Sequence, residues 1–234
     1  YTTLFPIFPL TLSAAICASV VPIISEAYFL NKRNQLNKNI LSSIKISTVI
    51  ALPSLCGLYF LSSQVLNLIF RDQASGAMIL KYSSLAIPFI ILAQTTTVIL
   101  QATSSKKMPI VNLLIGCIVK VIITSALVPI PNINVYGAIV GTISAYLVAV
   151  ILNIRLIKKT LHIKIDLNKV FIKPAYASMA MILSVVFIYI KVYNYTMSNS
   201  IACIVAIFLG IVLYGMLMIL FGVIDYSELR STKN

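Results

Sequence analysis

The sequence predicts an all-α, polytopic transmembrane helical bundle of about seven spans, and three observations predict it. Of 234 residues, 60% are hydrophobic and 10% charged, and the mean hydropathy is +1.02, a balance suited to lipid rather than to a soluble surface. The apolar residues gather in runs of about 20, enough for a helix to cross a ~30 Å hydrocarbon core. Basic residues fill alternate connections between those runs, as the positive-inside rule requires of a chain that crosses repeatedly.

A net charge of +13 can signal nucleic acid, but here the cations sit in short loops beside apolar spans. That placement points to anionic lipid headgroups and to topology, with no nucleic-acid partner. The chain opens at Tyr1 inside an apolar segment, without the basic n-region or cleavage site of a signal peptide, so it is expected to be the C-terminal piece of a longer protein. Cys17, Cys56, Cys117 and Cys203 each lie in a different apolar run and read as small core residues, with no metal site or disulfide.

The spans run approximately Leu4–Phe29, Ile40–Leu61, Ile79–Ala102, Pro109–Val128, Val135–Leu156, Pro174–Val192 and Ile201–Phe221. Fourteen basic residues fall on one side: Lys32, Arg33, Lys38 and Lys45; Lys106 and Lys107; Arg155, Lys158, Lys159, Lys164, Lys169 and Lys173; Arg230 and Lys233. Arg71, Lys81 and Lys191 fall on the other. The first side is therefore expected to be cytoplasmic, with Tyr1 starting outside and Asn234 ending inside a bacterial cell membrane.

The first span holds Pro6, Pro9 and Pro22 among small residues, so it is expected to bend. Glu26 arrives at its cytoplasmic mouth just before Lys32 and Arg33, either paired with that loop or serving as a gate. Pro53 and Pro88 sit in the second and third spans, and Gln94, Thr97 and Gln101 share one side of the third. Such a stripe suits a water-filled cavity and suits interhelical hydrogen bonding nearly as well. The polar stretch Ser63–Met78 is expected outside, with a short interfacial helix.

The fourth span, PIVNLLIGCIVKVIITSALVP, carries Lys120 eleven residues after Pro109, roughly 16 Å along a helix and near the midplane of the bilayer. Insertion scales put a lysine there at a cost of about 2.5–3.5 kcal/mol, and snorkelling reaches only part of the way to water. Asn112, Gly116, Lys120 and Thr124 recur at four-residue steps and form one polar or small stripe. That stripe either faces a polar cavity or packs against another helix, with Lys120 on backbone carbonyls. In the fifth span Gly137, Gly141, Ala145 and Ala149 make a small-xxx-small ridge that admits a close neighbour. The connection over residues 157–173 mixes apolar and basic residues and is expected to lie as an amphipathic link in the headgroup layer. It divides residues 1–156, five spans, from residues 174–234, the last two spans and a tail.

Catalytic chemistry is not visible. The five acids, Glu26, Asp72, Asp166, Asp225 and Glu228, form no intramembrane pair, no nucleophile stands beside a base, and there is no phosphate loop. The chain is expected to be no enzyme and to need no cofactor. A lone midplane cation fits an anionic substrate, whereas a cation-coupled drug antiporter would hold a buried carboxylate.

PLTLSAAICASVVPIISEAYFLNKRN, ILQATSSKKMPIVNLLIGCIVKVIIT and NINVYGAIVGTISAYLVAVILNI together resemble the stage V sporulation protein B group. These are polysaccharide-biosynthesis membrane proteins of the multidrug/oligosaccharidyl-lipid/polysaccharide exporter superfamily, related to MurJ-type lipid II flippases. The resemblance implies a MATE/MurJ-like fold in which these spans are the second lobe plus two C-terminal helices, partnered by a missing N-terminal lobe. It implies flipping of a lipid-linked glycan precursor by alternating access, in spore cortex or cell-wall synthesis; a MATE-like multidrug or small-molecule exporter is the alternative. Carried onto this sequence, Pro22, Ser25 and Glu26 match the first-span motif, and Lys106 and Lys107 occupy a cytoplasmic turn. Those five are expected at the gate or mouth. Lys120 is the expected pyrophosphate contact, with Asn112, Thr124, Gln94 and Gln101 beside it.

Overall fold

The computed structural model describes residues 4–70, 76–103, 107–161 and 167–222. Among them are nine helices: α1 (Leu4–Phe29), α2 (Arg33–Phe60), α3 (Ser62–Ile69), α4 (Ala77–Ser84), α5 (Ile87–Ala102), α6 (Met108–Leu127), α7 (Val135–Leu161), α8 (Leu167–Thr196) and α9 (Asn199–Leu220). Six are long and apolar enough to cross a membrane, and α4 with α5 make a seventh when taken as one span bent by 40°. The all-helical bundle expected from the sequence is therefore the fold.

The bend between α4 and α5 has a local cause. Pro88 sits in the first turn of α5, where it has no N–H to donate back across the break. The turn tightens instead: the Leu85 and Ala86 amides bond three residues back, to Tyr82 and Ser83. The helix α1 runs without a break from Leu4 to Phe29, with Pro9 and Pro22 inside it.

Helix ends also differ from the apolar runs. α2 starts at Arg33, ahead of Ile40, while α7 continues to Leu161 and α8 begins at Leu167. The connection expected over 157–173 is thus helical on both sides of residues 162–166, and His162 lies outside the described residues. Apolarity marks the part that crosses lipid, whereas Lys, Arg, Leu and Asn-flanked turns extend the helix into the polar layer because long straight side chains tolerate it well. In the polar stretch after the second span, the structure forms α3; Arg71 and Asp72 lie outside the described residues.

Two large apolar cores among the described residues hold the bundle. One gathers Ile24, Ile40, Ile44, Ile99, Leu100 and Ile157 between α1, α2, α5 and α7. The other gathers Leu61, Met181, Val185, Cys203 and Met218, joining α2 and α3 to the α8/α9 hairpin. Polar ties close that hairpin. The Lys173 ammonium donates to the Phe221 carbonyl at 3.0 Å, a cation at the C-terminal end of α9. At the opposite end, the Tyr189 hydroxyl donates to Asn199 Oδ1 at 2.8 Å, and Asn199 Nδ2 donates to the Gln64 carbonyl at 3.2 Å.

One contact repairs a helix defect. Pro53 lies inside α2 and has no N–H, so the carbonyl four residues earlier, Val49, loses its intrahelical donor. The Tyr214 hydroxyl of α9 donates to that carbonyl at 2.9 Å. Tyr214→Phe should therefore cost about 0.6–1.7 kcal/mol, the range for polar contacts between membrane helices, and much less in a Pro53→Ala background, where residue 53 supplies the donor again. Reversible unfolding of the four proteins of this double-mutant cycle in detergent checks it; equal losses in both backgrounds would contradict the account.

Candidate functional site

The fourth span's polar stripe is divided by the structure. Most of it forms an antiparallel seam with α7, where the small ridge lets the backbones meet. A Cβ on Gly116 would fall 2.6 Å from the Ala145 carbonyl oxygen, and one on Gly137 would fall 2.8 Å from Leu127 Cβ. A Cβ on Gly141 would meet Thr124 Oγ1 and lie 3.2 Å from the Lys120 carbonyl oxygen. At the far end of the seam Asn112 Nδ2 donates to Asn153 Oδ1 at 2.8 Å. The outcome favours packing over a cavity for most of the stripe: Gly116 is buried and Thr124 half-buried against α7, and the Thr124 hydroxyl has no hydrogen-bond partner among the described residues.

Lys120 is the exception. It is exposed, with no hydrogen bond or ion pair to any described residue. The exposed side of α6 around it includes Cys117, Ile118, Val121 and Ile122. A cation near the middle of a 20-residue span is costly to leave in hydrocarbon, so its surroundings in the membrane must supply water, an anion or a protein group outside the described residues.

The polar centre of the bundle is one turn of α5. Asn153 is 1% exposed, and its Nδ2 donates to the Thr96 and Thr97 hydroxyl oxygens, each at 3.1 Å. Thr96 donates onward to the Leu92 carbonyl, leaving its lone pairs to accept. On the other side of the same turn, Thr95 Oγ1 lies 2.6 Å from Ser47 Oγ of α2 and 3.5 Å from Cys17 Sγ of α1. Residues 95–97 thus join α1, α2 and α7 directly, and α6 through Asn153. Buried amides and hydroxyls are costly in lipid unless satisfied, and this arrangement satisfies them mutually. The sequence reading missed Asn153, although one further four-residue step along the ridge from Ala149 reaches it. It also missed Thr95, Ser47 and Cys17, which no spacing joins.

The other expected residues fall into two groups. Ser25 is held in the bundle, its hydroxyl donating to the Ala102 carbonyl at 2.9 Å, where it caps an orphan acceptor at the end of α5. Gln94 is half-buried and its Oε1 has no partner among the described residues. Pro22, Glu26, Gln101 and Lys107 are exposed. Glu26 makes no ion pair with Lys32 or Arg33. Lys106 lies outside the described residues. A separate cleft of about 430 Å³ opens beside α4 and α7, lined by Met78, Tyr82, Leu85, Tyr136, Ile139, Val140 and Ile143; its wall is mainly apolar and holds no cation. Among the described residues, no group of three or more His, Cys, Asp or Glu side chains gathers to hold a metal ion.

The lipid II flippase MurJ of Bacillus subtilis (strain 168) is 23% identical over 164 residues, which are 68% of this chain and 30% of that protein. A solved structure of lipid II flippase MurJ in an inward closed conformation superposes with a TM-score of 0.72 at 22% identity, covering 98% of this chain and 46% of the other. The chain thus spans less than half the length of either relative, and the superposition supports the fold. The family described as lipid II flippase MurJ matches residues 1–207, and the chain, a multi-pass membrane protein, belongs to that family.

Proposed function

We propose that this chain forms the second lobe and the C-terminal helix pair of a flippase for a lipid-linked peptidoglycan precursor. The observation that carries the reading is Lys120: a cation near the middle of a span, exposed, and without a partner among the described residues. Lysine binds phosphate as a point charge, so a precursor whose lipid and sugar are joined through pyrophosphate is the chemistry that such a residue would recognise. In this reading the exposed side of α6 lines the cavity between this lobe and a first lobe, and rocking of the two opens Lys120 to each side in turn. Gln101 lines the same path, with Pro22, Glu26 and the basic pair Lys106 and Lys107 at its cytoplasmic mouth. The asymmetry of basic loops supports an orientation with Tyr1 outside and Asn234 inside. The sporulation-type resemblance of the first-span motif supports spore cortex as the destination of the precursor.

Cys117 is a native reporter of this reading. It is exposed on α6 three residues before Lys120, whereas Cys17 and Cys203 are buried and Cys56 is half-buried. In the protein expressed from its complete gene, a charged, membrane-impermeant thiol reagent should label Cys117, and the precursor should slow the labelling. Labelling by a permeant reagent alone would place this side of α6 in lipid and refute the cavity.

A further inference from the structure

We propose that Asn153 is a positioning residue for Lys120, fixing the register and rotation of α6 so that the lysine is held at its depth and facing. The functional half of this inference rests on the reading of Lys120 given above; the geometric half does not.

The seam between α6 and α7 is built from backbone approach at Gly116, Gly137 and Gly141. Such a seam is tight but smooth, because its small residues repeat every four positions and offer no side-chain lock. A shift by one turn would bring another small residue opposite each position and carry Lys120 about 6 Å along the membrane normal. Among the described residues, Asn112 to Asn153 is the one side-chain hydrogen bond across the seam. A single buried Asn setting the register of packed helices is the best-attested use of such a group. Here the lock reaches further, since Asn153 is bonded at the same time to Thr96 and Thr97. Breaking it removes the polar tie of the first half of α6 to α7 and, through Asn153, to α5. No contact between Asn153 and Lys120 is needed, because α6 itself carries the effect across the two turns from Asn112 to Lys120.

The test uses the complete protein in membranes with its native cysteines replaced. A Cβ on Gly141 would lie 3.5 Å from Thr124 Cβ, within disulfide range, so Thr124→Cys with Gly141→Cys reports the observed register. Thr124→Cys with Ala145→Cys reports a one-turn shift and leaves every glycine in place. Asn153→Leu should lower the oxidation rate of the first pair about 3- to 20-fold and raise that of the second. Thr96→Val with Thr97→Val, which removes the acceptors and leaves α7 untouched, should do the same more weakly and serves if Asn153→Leu fails to insert. Unchanged cross-linking of both pairs overturns the proposal. Precursor flipping measured on the same Asn153→Leu substitution separates the two halves: a raised apparent KM with a retained maximal rate supports positioning of Lys120. A shifted cross-link with unaltered flipping kinetics overturns the link to Lys120, and leaves the reading of that residue to its own substitution.

Discussion

Gly116→Ala should destabilise the protein by about 1–3 kcal/mol, the usual cost of forcing a methyl into a filled interior. Gly215→Ala should change it by no more than about 0.5 kcal/mol, or stabilise it. In a helix the intrinsic preference favours alanine over glycine by about 0.5–1 kcal/mol, so a loss must come from a neighbour. At Gly116 that neighbour is the Ala145 carbonyl oxygen, 2.6 Å from the added carbon. It is backbone and cannot turn aside, so α6 and α7 must separate. At Gly215 the added carbon meets nothing within 4 Å. Gly116→Leu should go further and unseat α6, since only Pro109 and Gly116 of that helix are buried and the seam with α7 is its main attachment. Melting of the purified complete protein in detergent checks the series, and a Gly116→Ala protein as stable as Gly215→Ala would contradict the seam.

The bundle was legible in the sequence for a simple reason. Lipid imposes long apolar helices and sorts cations to the connections, so length and charge alone mark the spans. The ridge from Gly137 to Ala149 was legible too, because close helix approach needs small residues at helical spacing. What the sequence hid is which partner each polar residue finds. Asn112 and Thr124 stand on one stripe with Lys120, and period alone assigns all three the same fate. In the folded chain α7 takes Asn112 and Thr124, while the lysine at the seam's edge stays exposed. Ser25 and Gln94 illustrate the same limit: a polar residue in a span can serve a carbonyl of the next helix or face water, and the choice belongs to a neighbour distant in sequence. The turn at Thr95–Thr97 looks like any run of threonines until Ser47, Cys17 and Asn153 are brought to it. Helix ends were hidden for another reason, since α2, α7 and α8 extend into polar sequence that hydropathy does not count as span.

The second large effect concerns Lys120. If its ammonium holds a phosphate oxygen, Lys120→Ala removes a hydrogen bond to a charged group, worth about 1.5–3 kcal/mol, or about 10- to 150-fold in the affinity it supports. Lys120→Arg keeps the charge but replaces a compact point donor with a planar fork, and should retain part of the activity. Neither change should weaken insertion or stability, because the side chain is exposed and bonds to no described residue; alanine also relieves the cost of a cation near the midplane.

Precursor translocation by the complete protein in proteoliposomes, comparing wild type, Lys120→Ala and Lys120→Arg at matched insertion, is the most direct measurement. Loss with alanine and partial retention with arginine are expected. Equal translocation by all three would contradict a phosphate-binding role, reducing Lys120 to a tolerated cation on the face of a packing helix.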